Sequence, residues 1–205
     1  MGAGGGLFLS QTQPWLERNL ILKNVAAGGS QGRGGGVRLL GCAAFTLTNN
    51  IIALNGASAL GSGVAILDST GWLAHNTIAE NALGDRVGVA VAGSSMVGLV
   101  NNIVASHTVG ITHTGSGIVA AQYTLFDGNT LDYGSGVSSA NEVPGPAGLS
   151  PSYHLYAYSG AIDRALPLAQ VTDDVDGDVR PQGAGPDVGA DEARMVMLPL
   201  VLRGG

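Results

Sequence analysis

The feature that most constrains this chain is a two-part motif that occurs five times in its first 130 residues. The first part is glycine followed by apolar-x-apolar: Gly6-Leu7-Phe8-Leu9, Gly36-Val37-Arg38-Leu39, Gly63-Val64-Ala65-Ile66, Gly88-Val89-Ala90-Val91 and, with a polar last position, Gly110-Ile111-Thr112-His113. Successive copies are 30, 27, 25 and 22 residues apart. The second part is an Asn-bounded five-residue step, from Asn19 to Asn24, Asn50 to Asn55, Asn76 to Asn81, Asn102 to His107 and, with Thr124 in the first place, to Asn129. A repeat of this length is one supersecondary unit that cannot bury its apolar face alone, so copies must stack. Its apolar runs are short, alternate with period two and are bounded by Gly, Asn and Ser, which predicts strands and excludes helical repeats.

Aligned coil by coil, the inward positions form columns. Val37, Val64, Val89 and Ile111 make one, and Leu39, Ile66 and Val91 a second, which His113 extends; Leu47, Leu73 and Leu99 make a third. Ile21, Ile52, Ile78, Val104 and Phe126 make a fourth, and coils about 4.8 Å apart would fuse all four into one core. Asn50, Asn76 and Asn102 are expected at corners, for the left-handed conformation a bend needs and for an amide ladder from coil to coil. The expected fold is all-β: a right-handed parallel β-helix of about five coils over residues 1–130, then a C-terminal loop and acidic capping segment over 131–192.

Its Gly-Val and Asn-x-Ile coils resemble those of the pectate-lyase-like β-helix superfamily of bacterial surface and secreted proteins. That resemblance implies a fold and no single activity. Further on, the chain carries Tyr153-His154-Leu155, Ser159-Gly160-Ala161-Ile162-Asp163, Asp174-Val175-Asp176-Gly177-Asp178-Val179-Arg180-Pro181 and Asp187-Val188-Gly189-Ala190-Asp191-Glu192, in that order. This end is similar to that of choice-of-anchor Q domain proteins, with Gly160 where those have proline and Arg164-Ala165 where they have Ala-Gly. The resemblance implies an extracellular or cell-surface protein with no defined chemistry.

Seven of the fifteen acidic residues lie between Asp173 and Glu192. In an extended strand Asp174, Asp176, Asp178 and Arg180 would share one side. Such a cluster is expected either to pair with Arg180, in a cap that closes the open end of the stack with Asp187 and Glu192 as structural members, or to bind Ca²⁺ through Asp174, Asp176 and Asp178. The apolar tail of residues 193–205 is too short to span a bilayer, and reads as an anchor-signal remnant or a last strand.

With one lysine, scattered arginines and a net charge of −6, the chain has no basic stripe for nucleic acid. Cys42 is alone, no stretch is long enough for a membrane span, and no signal peptide is present, so the parent gene is expected to continue upstream of Met1. No acidic residue has an acidic partner at the equivalent position of a neighbouring coil, as paired-carboxylate glycoside hydrolysis would need. Arg38 and Arg86 lack the carboxylate cluster of a calcium-assisted lyase. The expected function is therefore a monomeric, non-enzymatic module for display, adhesion or glycan contact; the alternative is a polysaccharide lyase or hydrolase with its catalytic coils elsewhere. The candidate polysaccharide-binding strip is the outward column Asn49, His75, Asn101 and Tyr123, with Arg18 at its far end.

Overall fold

The computed structural model describes residues 4–194. They form a parallel β-solenoid of about five turns. Sheet A stacks Leu7–Ser10, Val37–Leu40, Val64–Leu67, Val87–Gly93, Val109–Gly115 and Leu131–Tyr133. Sheet B stacks Trp15–Glu17, Ala43–Thr48, Thr70–Ala74, Met96–Val100, Ile118–Gln122 and Val137–Ala140. Sheet C stacks Leu20–Leu22, Ile51–Ala53, Thr77–Ala79, Ile103–Ala105 and Leu125–Asp127, and a short sheet D closes the first three turns. Residues 131–140, read from sequence as part of a loop, instead add a strand each to sheets A and B.

The sequence columns are the observed register. Val37, Val64, Val89 and Ile111 pair in sheet A, Leu47, Leu73 and Leu99 in sheet B, and Ile21, Ile52, Ile78, Val104 and Phe126 in sheet C. Most of these side chains are fully buried, each contributing about 1.5 to 3 kcal/mol by removal from water. His113 lies across from Val91 and is half-buried, its Nδ1 3.1 Å from the Gly136 carbonyl.

The asparagines differ from expectation in one respect. The left-handed residue at the B-to-C corner is the one before the ladder asparagine: Arg18, Asn49, His75, Asn101 and Tyr123 have φ between 48° and 57°. That residue makes the bend and points out, which turns the next side chain inward. Asn19, Asn50 and Asn76 then each donate from Nδ2 to the Oδ1 of the asparagine one coil on, at 2.9, 2.9 and 3.0 Å. The same Oδ1 atoms accept from backbone amides, and Nδ2 of Asn50, Asn76 and Asn102 donates back to Leu16, Leu47 and Leu73 carbonyls. A second ladder runs Asn24, Asn55, Asn81 and His107 at the C-to-D corner.

The C-terminal segment packs along the side of the stack. Val143 N bonds to Thr124 O in the fifth turn, Tyr153 Oη to Glu80 in the third, and Arg18 of the first turn reaches Asp173 at 3.1 Å. It forms a strap across the outer face of sheet C. Ile51, Ile103 and Leu125 on that face are fully buried beneath Val188, Ala190, Ala161 and Tyr153. Val188-Gly189-Ala190 lies directly on the sheet: Gly189 N donates to Asn101 O, Ala190 N to Thr77 Oγ1, and a Cβ on Gly189 would meet Ile103 Cδ1 at 2.6 Å. Its φ of 95° also favours glycine. The apolar tail beyond Arg194 lies outside the described residues.

Asn76 sits mid-ladder with all its polar atoms paired. Replacing it with alanine strips partners from Asn50, Asn102 and two carbonyls, and is expected to cost about 2 to 4 kcal/mol. Thermal unfolding followed by circular dichroism should show a melting temperature lower by about 5 to 15 °C.

Candidate functional site

The strip Asn49, His75, Asn101 and Tyr123 does point away from the coil core, but the strap covers it. Asn49 and Asn101 are 0% exposed and His75 1%, while Tyr123 is half-buried. Asn49 Nδ2 donates to Asp173 O, and Asn101 Nδ2 donates to Leu166 O while its Oδ1 accepts from Leu166 N. His75 Nδ1 donates to Asp187 O at 3.1 Å, and its Nε2 accepts from Asn101 Nδ2 at 2.8 Å. These side chains are the seam that holds the strap, closed to a polysaccharide.

Arg180 is the centre of that seam. Its side chain is 1% exposed, and the guanidinium donates to the Asp173, Asp187 and Gly189 carbonyls, to Glu192 Oε2 at 2.9 Å and, at 3.4 Å, to Asn49 Oδ1. Burial lowers its pKa, and the carboxylates of Glu192, Asp174, Asp187 and Asp191 oppose that shift. Glu192 also accepts from the Gln182 and Asp187 amides, and Asp187 from those of Asp163 and Ala193. Ion pair and backbone thus share one network, in which each buried charge is compensated.

The three aspartates do not form an extended row. Gly177 at φ 87° and the Asp174 N to Asp178 O bond close a hairpin turn between Asp173 and Val179. Asp174 turns inward and accepts from the amides of Asp176, Asp178 and Glu192. Asp176 meets His154 Nε2 at 2.9 Å, and Asp178 meets Arg194. One oxygen from each of Asp174, Asp176 and Asp178 lies within 4.8 Å of the others, and the same holds for ligand atoms of His154, Asp176 and Asp191. A cation here would compete with those amides and cationic partners.

The outer face of sheet B carries a groove of about 580 Å³, walled on one side by the strap at Leu166, Leu168 and Val171. Trp15 and Trp72 stand in one column on its floor, both in register with Thr46 between them. They are 72% and 59% exposed. A Cβ at residue 98 would collide with Cζ3, Cε3 and Cη2 of Trp72, so that indole lies face-down on Gly98 and turns its other face to solvent. Sequence reasoning passed over both tryptophans. The signal was present, since each precedes an inward leucine, Leu16 or Leu73, and alternation therefore turns it outward.

A second cavity, of about 600 Å³, lies between the C-to-D corner and the strap and includes both Glu80 and Asp127. These two belong to the third and fifth turns, so a search of equivalent positions on neighbouring coils does not pair them. Glu80 accepts from Tyr153 Oη at 2.8 Å, and Asp127 from the Ala147 amide. Burial and the neighbouring Glu80 carboxylate raise the Tyr153 pKa, which keeps the phenol a donor. The Arg38 guanidinium stacks over the Phe8 ring, 4.8 Å from its centroid.

Two measurements follow from this electrostatic arrangement. Burial lowers His75 from 6.5 to about 3, helped by the Arg180 charge, and lowers His107 to about 4. Both take up a proton on unfolding below about pH 6.5, so stability falls as pH drops from there towards 4. Asp187, raised by burial from 3.8 to about 6, and Asp191, which burial also raises, work in the opposite sense, and the larger shifts of the two imidazoles leave a net loss. The melting temperature should therefore fall across that window, with a shallower slope in His107→Asn, where an amide rebuilds the ladder. Arg180→Ala uncovers Glu192 and three carbonyls, and should cost about 3 to 5 kcal/mol and open the strap to limited proteolysis before the coils.

Comparison with family models, curated proteins and solved structures returns no match to this chain.

Proposed function

We propose that this chain is a binding module of an extracellular or cell-surface protein, akin to the choice-of-anchor Q group, that contacts glycan through the outer face of sheet B and performs no catalysis. One observation carries the reading: two exposed indoles share a column on a flat sheet, one of them lying face-down on Gly98. Apolar patches on an otherwise polar surface mark contact sites. Indole faces suit the C–H-rich faces of sugar rings, and Thr46, Gln122 and Gln170 along the groove supply hydroxyl and amide partners for sugar hydroxyls. The groove is rigid because its floor is sheet, so little ordering is lost on binding.

Affinity electrophoresis through gels containing soluble polysaccharides tests this. The native protein should be retarded by at least one glycan, and Trp72→Ala, which gives up only the indole's surface packing on Gly98, should migrate freely with an unchanged circular dichroism spectrum. Migration unaffected by every polysaccharide sinks the reading. A second reading, glycoside hydrolysis, draws on Glu80 and Asp127 sharing one cavity. It requires reducing ends to appear during incubation with polysaccharide and to disappear in Glu80→Gln or Asp127→Asn.

A further inference from the structure

We infer that the groove on sheet B takes a neutral, extended, β-linked polysaccharide that runs along the stack, across the strands, with a sugar ring on each indole. The inference rests on the glycan-contact reading above and specifies the chain that fits. Trp15 pairs with Thr46 and Thr46 with Trp72, so the two tryptophan positions are two rungs apart. At ~4.8 Å per rung they stand about 10 Å apart along the stack. In a ribbon-like β-linked chain each ring is turned over relative to the next, so the same ring face returns at every second residue, a repeat of this length. An α-1,4-linked glucan coils, and its ring faces do not stay parallel over that distance.

The column beyond Trp72 continues through Gly98, on which the Trp72 indole rests, and then through the small Ala120. From Trp15 to Ala120 it crosses five strands, so at ~4.8 Å per rung the floor is about 19 Å long, enough for about four sugar rings. The strap at Leu166 to Val171 forms one bank, so the chain lies lengthwise.

Charge selects a neutral ligand. None of the residues lining the groove is Lys, Arg or His, and Glu17 is its one carboxylate. A uronate or sulfated chain would meet a carboxylate and no cation, in a protein already at net charge −6. Gln122 and Gln170 are exposed at the rim, with Thr46 on the floor, and serve hydroxyls equally well as donors and acceptors.

Isothermal titration calorimetry with the full chain tests the inference, using cello-oligosaccharides and manno-oligosaccharides of two to six units, malto-oligosaccharides and oligogalacturonates of the same lengths. Affinity for the β-linked neutral series should rise at least about tenfold from the disaccharide to the tetrasaccharide and then level off. Trp15→Ala and Trp72→Ala should each weaken the hexasaccharide by at least about tenfold, with circular dichroism unchanged. Tryptophan-dependent binding that favours malto-oligosaccharides or oligogalacturonates, or shows no length dependence, overturns this inference and leaves the glycan-contact reading standing. Absence of binding in every series, or binding indifferent to both tryptophans, overturns both. Self-association in light scattering that Trp72→Ala abolishes, without any sugar binding, also overturns both and assigns the face to a second copy of the chain.

Discussion

Everything in this molecule depends on register between coils. Parallel strands bond to the rung above and below, but backbone bonds alone would tolerate a slip, and a slip by one residue turns every core side chain outward. The amide ladders at two corners of each turn remove that freedom. An Asn76 Oδ1 that accepts from both the Asn50 side chain and the Asn50 amide admits one vertical alignment. Columns of Val, Ile and Leu follow from that alignment, and so does the column that brings Trp15 and Trp72 into line on the outer face of sheet B.

The strap answers a different problem. Sheet C is apolar on both faces: Ile52 and Ile78 fill the interior, while Ile51 and Ile103 face away from it. A solenoid cannot leave such a face in water, and the C-terminal segment covers it with small residues, Gly189 and Ala190 among them, that let backbone lie on side chains. Its charges are balanced internally. Arg180, Glu192, Asp187 and Asp174 satisfy one another and the turns around them, so an acidic composition that reads as a ligand site is largely occupied in holding the strap's own shape.

Much of the fold was legible because a repeat multiplies weak signals: one Val-x-Ile is ambiguous, and four in register are not. The corner asparagines were legible for the ladder but not for the bend, because the left-handed conformation falls on Asn49, His75 and Asn101, one residue earlier. The strap's path left a trace that alternation rules do not weigh. Ile51-Ile52-Ala53 and Ile103-Val104-Ala105 are unbroken apolar runs, the mark of strands buried on both faces. The polar column beside them reads as a solvent face until something is known to cover it, and long-range packing of a segment 60 to 150 residues away has no local signature. The pairing of Glu80 with Asp127 in one cavity escaped for a similar reason, since it spans two rungs and needs the strap as a wall.

In most solenoids each repeat touches only its neighbours, and stability is a sum of local terms that allows the ends to fray one coil at a time. Here the same segment that leaves the fifth turn at Val143 is bonded to the first at Arg18, 155 positions before Asp173. The two ends of the stack are thereby coupled mechanically. Pulling away the last coil means first peeling a strip fastened at every level, so the array opens as a unit, late and all together, like a stack of rings tied with one cord.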